Sequence, residues 1–216
     1  MTSPSGGAGS GDLLGGNEAI SQAEARAEAT RGLNLDTVPA LPIEPDTANV
    51  RLGPEINEAC LALLPLVGVW RGTGMFAGGM LSDAPQFGQQ ITIAHDGRAF
   101  LRYESVTWLL DESGAVTGPG EREVGWWRPA GADRVQVLLT TAAGQITRFE
   151  GRAPTLTSWE LSAEAAWAGA DAPPAVGASR LYGITADGSL AYVDERAEAG
   201  GEPAPYASAV LARIAG

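Results

Sequence analysis

The chain has 216 residues, 44% of them hydrophobic and 19% charged, which suits a single folded domain of ordinary size. All 14 basic residues are arginine, and the 26 acidic residues bring the net charge to −12. A chain this acidic lacks the clustered positive charge that binds nucleic acid or anionic lipid, so we expect neither partner.

The scarcity of cysteine and histidine excludes several kinds of site. Cys60 and His95 are the only residues of their types, so an internal disulfide, a cysteine zinc site and any site with two histidines are excluded. The N-terminus shows no secretory leader, and no apolar run approaches the roughly 18 residues of a membrane helix. These features predict a cytoplasmic protein with no metal site built from its side chains.

Residues 1–54 form an N-terminal extension of low complexity without a single aromatic residue. Such a segment buries too little apolar surface to offset its ordering entropy, so it is predicted to be disordered. The alternative is a helix from Asn17 to Arg31, where alanine, glutamate and arginine dominate. The stretch from Leu41 to Pro54 contains several prolines and is predicted to be an extended linker.

Residues 55–216 carry every aromatic residue and form the predicted folded domain. A short helix is predicted over Glu55–Leu64, closed by Pro65 and Gly68. Cys60 lies on the apolar face of this helix, where packing is a better explanation than a nucleophilic role.

The rest of the domain shows the period-two pattern of β-strands, with turns at Asp96-Gly97 and Asp187-Gly188. About ten strands without long helices predict an antiparallel barrel or a sandwich. The predicted strands are Val69–Ala77, Phe87–His95, Arg98–Leu110, Glu121–Pro129, Arg134–Thr141, Gln145–Arg152, Thr155–Ala163, Ser179–Ala186, Ser189–Ala197 and Tyr206–Ile214.

The segment Gly-Val-Trp-Arg-Gly-Thr-Gly opens the first strand and places Gly68, Trp70, Gly72 and Gly74 on one face. Glycine weakens a strand, so repeated glycine indicates close approach of another backbone or of a ligand. Trp70 is expected to plug one end of a barrel. The spacing and the absence of a following helix exclude a dinucleotide-binding motif.

With the preceding helix, this segment resembles the opening of the nitrobindin family of β-barrels. The resemblance continues, in order, through residues 87–89, 94–103, 121–128, 180–182, 190–192 and 205–213. It implies a ten-stranded antiparallel barrel similar in shape to fatty-acid-binding proteins and lipocalins.

The resemblance also implies where a cofactor would bind. Haem-binding members of the family hold ferric haem b through one histidine on the last strand, and the matching residue here is Tyr206. A Tyr-Pro-Thr segment near the haem pocket of the family is replaced by Gly78-Gly79-Met80. The chain therefore resembles the ferric nitrobindin-like branch, which lacks the histidine, and we expect neither a bound cofactor nor catalytic residues.

Two functions of different class follow from this resemblance. The first is a barrel that binds a small apolar ligand and has lost histidine-ligated haem b. The alternative is a haem-binding peroxynitrite isomerase in which Tyr206 ligates iron as a tyrosinate, which requires a neighbouring cation because a phenol ordinarily titrates near pH 10. A packed barrel that serves only to bind a protein partner is a third hypothesis.

Other titratable residues have simpler explanations. His95 precedes Asp96-Gly97 and is interpreted as a turn residue at the tip of a hairpin. A further set is interpreted as solvated strand faces because acidic and basic residues alternate there. This set consists of Glu121, Arg122, Glu123, Asp194, Glu195 and Arg196.

The family resemblance implies a homodimer formed through one face of the barrel, and the sequence offers a residue for its interface. The adjacent Trp126 and Trp127 must point to opposite faces of their strand, so one ring faces outward and is available to a second subunit. Light scattering is expected to give twice the 22.2 kDa mass of the chain. A single species at the mass of one chain would contradict the prediction.

Overall fold

The computed structural model describes residues 15–77, 86–172, 178–197 and 202–216. It divides into two units, Met1–Pro42 and Ile43–Gly216. Among the described residues, no helix is long and apolar enough to cross a membrane.

In the described part of the first unit, from residue 15 to residue 42, helix α1 spans Gly16–Ala29. It buries none of its residues, and the Ile20 side chain is exposed. This helix is the alternative that the sequence offered to a disordered tail. Its composition is rich in alanine and glutamate, so local propensity accounts for it without tertiary packing.

The second unit is a barrel of ten strands in which each strand pairs antiparallel with its neighbours in sequence, and β1 pairs with β10 to close the ring. Closure decides for a barrel over a sandwich, and all ten predicted strands are confirmed with small shifts at their ends. The strands are β1 Gly68–Phe76, β2 Phe87–Ala94, β3 Leu101–Leu110, β4 Val116–Pro129, β5 Arg134–Thr141, β6 Gln145–Thr155, β7 Ser158–Ala168, β8 Ala178–Ile184, β9 Leu190–Arg196 and β10 Ala204–Ala215.

A 3-10 helix over Glu58–Leu66 precedes β1, whereas the sequence predicted a helix over Glu55–Leu64. The helix begins later because Asn57 caps it, its side chain accepting a hydrogen bond from the backbone N–H of Ala59 at 3.1 Å. It also runs through Pro65, which the sequence placed after its end. The predicted packing role of Cys60 is confirmed, since its side chain is fully buried in the core.

This helix covers one end of the barrel, here called the closed end. The indole N–H of Trp70 donates to the carbonyl of Leu66 at 2.9 Å, and the Arg213 guanidinium lies 4.0 Å from the centre of the Trp70 ring. The indole of Trp159 donates to the carbonyl of Ala62 at 3.2 Å. Trp70 therefore plugs the barrel end, as predicted.

His95 also lies at the closed end, directly after β2, and its side chain is only 1% exposed. Its backbone forms two hydrogen bonds with Thr47, at 2.8 and 2.9 Å. The interpretation of His95 as a residue of a hairpin tip is therefore wrong, because the segment around Thr47 covers it. Neither imidazole nitrogen has a hydrogen-bond partner among the described residues, and burial lowers the pKa of the imidazole against the opposing charges of Asp96 and Asp46.

Acidification is expected to destabilise the barrel through His95. Because its pKa is lowered in the folded state, the unfolded chain binds the proton first, so the free energy of unfolding falls as pH drops below about 6.5. One proton contributes a slope of at most about 1.4 kcal/mol per pH unit. Urea unfolding between pH 7.5 and 5 measures the slope, and His95→Leu should flatten it. Identical slopes in both proteins would contradict the prediction.

Candidate functional site

A cavity of about 130 Å³ opens at the end of the barrel opposite the 3-10 helix, among residues of β1–β4 and β8–β10. Tyr206 lies at its mouth. A β-bulge between Pro205 and Ala207 leaves Tyr206 out of the pairing between β10 and β9. The Tyr206 ring contacts Phe76 edge-on at 5.7 Å and lies under the Arg196 guanidinium, 3.5 Å from the ring centre.

The glycines of the opening segment serve close packing of the barrel wall. A Cβ atom on Gly72 would lie 2.2 Å from the carbonyl oxygen of Val210, and one on Gly74 would lie 2.2 Å from the Phe87 ring. Gly68 and Trp70 lie at the closed end, away from Tyr206. Of the two explanations that the sequence left open for this motif, the contacts favour approach of backbone and core over approach of a ligand.

Four charged side chains form an ion-pair cluster that lines the cavity: Glu123, Arg180, Asp194 and Arg196. Arg180 donates to both carboxylate oxygens of Glu123, at 2.8 and 3.0 Å, and to Asp194 at 3.2 Å. Arg196 donates twice to Asp194, each time at 3.3 Å. The side chains of Arg180 and Asp194 are 12% and 5% exposed, so the charges depend on one another for compensation.

The electrostatics of the cluster follow from this burial. Burial disfavours the charged form of Arg180, but attraction to Glu123 and Asp194 outweighs that effect and raises the pKa of the guanidinium well above its usual range. Arg180 is therefore a permanent cation in the wall of the cavity. Because Asp194 is shared between two arginines, removal of either arginine changes the environment of the other.

Deeper in the barrel the polar groups are neutral and hydrogen-bonded. The Tyr192 hydroxyl donates to the side-chain oxygen of Gln89 at 2.9 Å, and the Gln89 amide donates to the Ser105 hydroxyl at 2.9 Å. Burial raises the pKa of Tyr103, Tyr182 and Tyr192, so these phenols stay protonated at neutral pH. Polar groups thus lie both at the mouth of the cavity and deeper inside it, beside the apolar side chains of Phe76, Phe87 and Leu109.

The interpretation of Glu123 and Asp194 as solvated strand faces is wrong. Glu123 lies two positions before Gly125 and four positions before Trp127, and both of these residues face the interior. Asp194 lies two positions after Tyr192 on β9, so it faces the interior in the same way. Every second side chain of a strand faces the same side of the sheet. Counting in twos from the buried aromatic residues therefore identifies both carboxylates as inward-facing, and it identifies Arg180, two positions before Tyr182, in the same way. Sequence reasoning named Arg180 only within the family resemblance and gave it no role, because its strand carries no second charge.

The remaining members of that set lie elsewhere. Glu195 points to the other face of β9 and accepts a hydrogen bond from the Ser179 hydroxyl at 2.6 Å. Glu121 lines the rim of the cavity, where loss of solvent raises the pKa of its carboxyl group. Arg122 is exposed.

The outer wall carries an apolar groove of about 560 Å³ across β1, β10, β9 and β8. Its lining includes the exposed side chains of Met75, Leu181, Val193 and Val210. On another part of the wall the Trp126 ring is 47% exposed while Trp127 is fully buried, which confirms that the two rings point to opposite faces.

Comparison with known proteins agrees with this architecture. Residues 59–213 match the model of the THAP4-like, haem-binding β-barrel domain, which corresponds to the whole barrel. The chain belongs to the nitrobindin family. This identification confirms the resemblance drawn from the sequence.

Relatives within the nitrobindin family carry two kinds of name. A ferric nitrobindin-like protein of Saccharopolyspora erythraea is 48% identical over 93% of this chain and 95% of its own length. Peroxynitrite isomerase 1 of Mycobacterium marinum is 43% identical over 93% of both chains. The crystal structure of Rv2717c from M. tuberculosis covers 74% of this chain and 99% of its own, with 25% identity and a TM-score of 0.60.

The cavity lined by the described residues is small for a cofactor of the size of haem. Sites for ligands of ordinary size occupy at least about 300 Å³ and are mostly apolar, whereas this cavity measures about 130 Å³ and contains the ion-pair cluster. The residue predicted to replace the haem-ligating histidine, Tyr206, does lie at the cavity mouth, covered by Arg196. Gly78-Gly79-Met80, the other predicted departure from the family, lies outside the described residues.

Arg180→Met is expected to destabilise the barrel by about 3–5 kcal/mol, because it leaves the buried Glu123 without its partner. Arg152→Met is the matched control, since Arg152 pairs with Glu160 at 2.7 Å on the exposed surface. The control is expected to cost about 0–1 kcal/mol. Urea unfolding at pH 7 measures both values, and equal losses would show that the cluster does not stabilise the fold.

Proposed function

We propose that this nitrobindin is a small-ligand-binding barrel that has lost histidine-ligated ferric haem b and has no peroxynitrite isomerase activity. The observation that carries the proposal is the cavity at Tyr206, which is small for a porphyrin and is lined by the ion-pair cluster. The same lining favours a small polar ligand inside the barrel. The predicted apolar ligand is matched better by the outer groove, whose lining includes Met75, Leu181 and Val210.

The chemistry of residue 206 supports the same proposal. A neutral imidazole binds ferric iron at pH 7 without first losing a proton, whereas a tyrosine must ionise. For an ordinary phenol that ionisation costs about 4 kcal/mol at pH 7, or about 1,000-fold in affinity.

The second candidate function is a haem-binding peroxynitrite isomerase that uses Tyr206 as the iron ligand. Relatives named peroxynitrite isomerase in Mycobacterium marinum and Rhodococcus jostii are 43% and 42% identical to this chain. The position of Arg196 favours this candidate, because its guanidinium is a cation that lies 3.5 Å from the centre of the Tyr206 ring. Asp194 opposes it, because its carboxylate already balances the Arg196 charge.

The homodimer and the cytoplasmic location remain predictions. The exposed Trp126 ring and the apolar outer groove are the surfaces that support a second subunit.

Titration with haem, followed by the Soret band, separates the two candidate functions. Wild-type protein is expected to give weak binding without saturation at one equivalent. Tyr206→His is expected to bind more tightly than wild type, because it restores an imidazole. Tyr206→Phe should behave as wild type does. Stoichiometric binding by wild type that Tyr206→Phe abolishes would overturn the proposal and establish the haem protein instead.

A further inference from the structure

Arg196 occupies the mouth of the cavity beside residue 206. It is the last residue of β9, where it pairs with Ala204 at the start of β10. Its guanidinium lies 3.5 Å from the centre of the Tyr206 ring and donates to Asp194 through two nitrogens. A macrocycle held by residue 206 extends well beyond that side chain on every side, so it must take the place of this guanidinium.

The rest of the cluster fixes Arg196 in this position. Asp194 is 3% exposed and also accepts a hydrogen bond from Arg180, which is held in turn by Glu123. If Arg196 moves out to solvent, Asp194 loses two hydrogen bonds in a site with little access to water. A buried charge that loses its partner is costly, so the cluster resists the opening that a porphyrin requires.

We infer that Arg196 is a second specificity-determining residue, which excludes porphyrin from the barrel independently of the residue at position 206. This inference rests on the proposed function and extends it to a residue that contributes no atom to an iron site. Restoring the imidazole alone then recovers only part of the haem affinity. The remaining gain requires removal of the guanidinium as well.

The test compares haem affinity among proteins that all carry Tyr206→His. Arg196→Leu removes the guanidinium, and the double variant is expected to bind haem at least ten-fold more tightly than Tyr206→His alone. Arg196→Lys keeps a cation for Asp194 but has no planar group, and it is expected to give a smaller gain. Arg152→Leu, on the exposed surface, is the matched control and is expected to give none.

Two further measurements make the result decisive. Near-ultraviolet circular dichroism and thermal melting report whether each variant is folded, and if Arg196→Leu fails to fold, the Arg196→Lys comparison decides. Equal haem affinity with and without the Arg196 substitution would overturn the inference, as would an equal gain from Arg152→Leu. Stoichiometric haem binding by wild type would overturn the proposed function and the inference together, because wild type carries Arg196. Equal affinity among the proteins that share Tyr206→His would overturn the inference alone.

Discussion

Closure of the barrel depends on how closely β1 approaches its two neighbours. The wall leaves no space for a Cβ atom at Gly72, where the Val210 carbonyl stands, or at Gly74, where the Phe87 ring fills the core. A side chain at either position would push apart the strands that join the ends of the sheet. The inward set of side chains, and therefore the cavity, exists only while this seam is closed.

Much of the architecture was predictable because strands have a strict period. The alternation that predicted Arg134–Thr141 is matched residue for residue by β5, and the other strands differ only near their ends. The errors have local causes. Asn57 caps the helix later than its apolar pattern indicates, and Pro65 is accommodated in a 3-10 helix. His95 is buried because Thr47, 48 residues earlier in the chain, pairs with its backbone. The sequence around His95 does not predict this contact.

The candidate site was predictable only in part, because Tyr206 came from a resemblance and its neighbours came from neither resemblance nor composition. Alternating charges on β9 were interpreted as exposed, yet the strand sends Asp194 inward and Glu195 outward. The inward carboxylate of Asp194 is stabilised by an ion pair with Arg180 on the adjacent strand, which offsets the cost of burying its charge. Ion pairs between side chains on different strands therefore decide which charges are tolerated inside the barrel, and the sequence of a single strand does not contain that information.

The bulge at Pro205 and Ala207 makes the identity of residue 206 independent of the barrel wall. Because Tyr206 takes no part in the pairing of β10 with β9, its side chain is exchanged without disturbing the hydrogen bonds that hold the two strands together. Histidine and tyrosine codons differ by one base. A single base change therefore exchanges the side chain at the cavity mouth while the pairing of the two strands is kept, so the chemistry of the mouth and the wall of the barrel evolve separately.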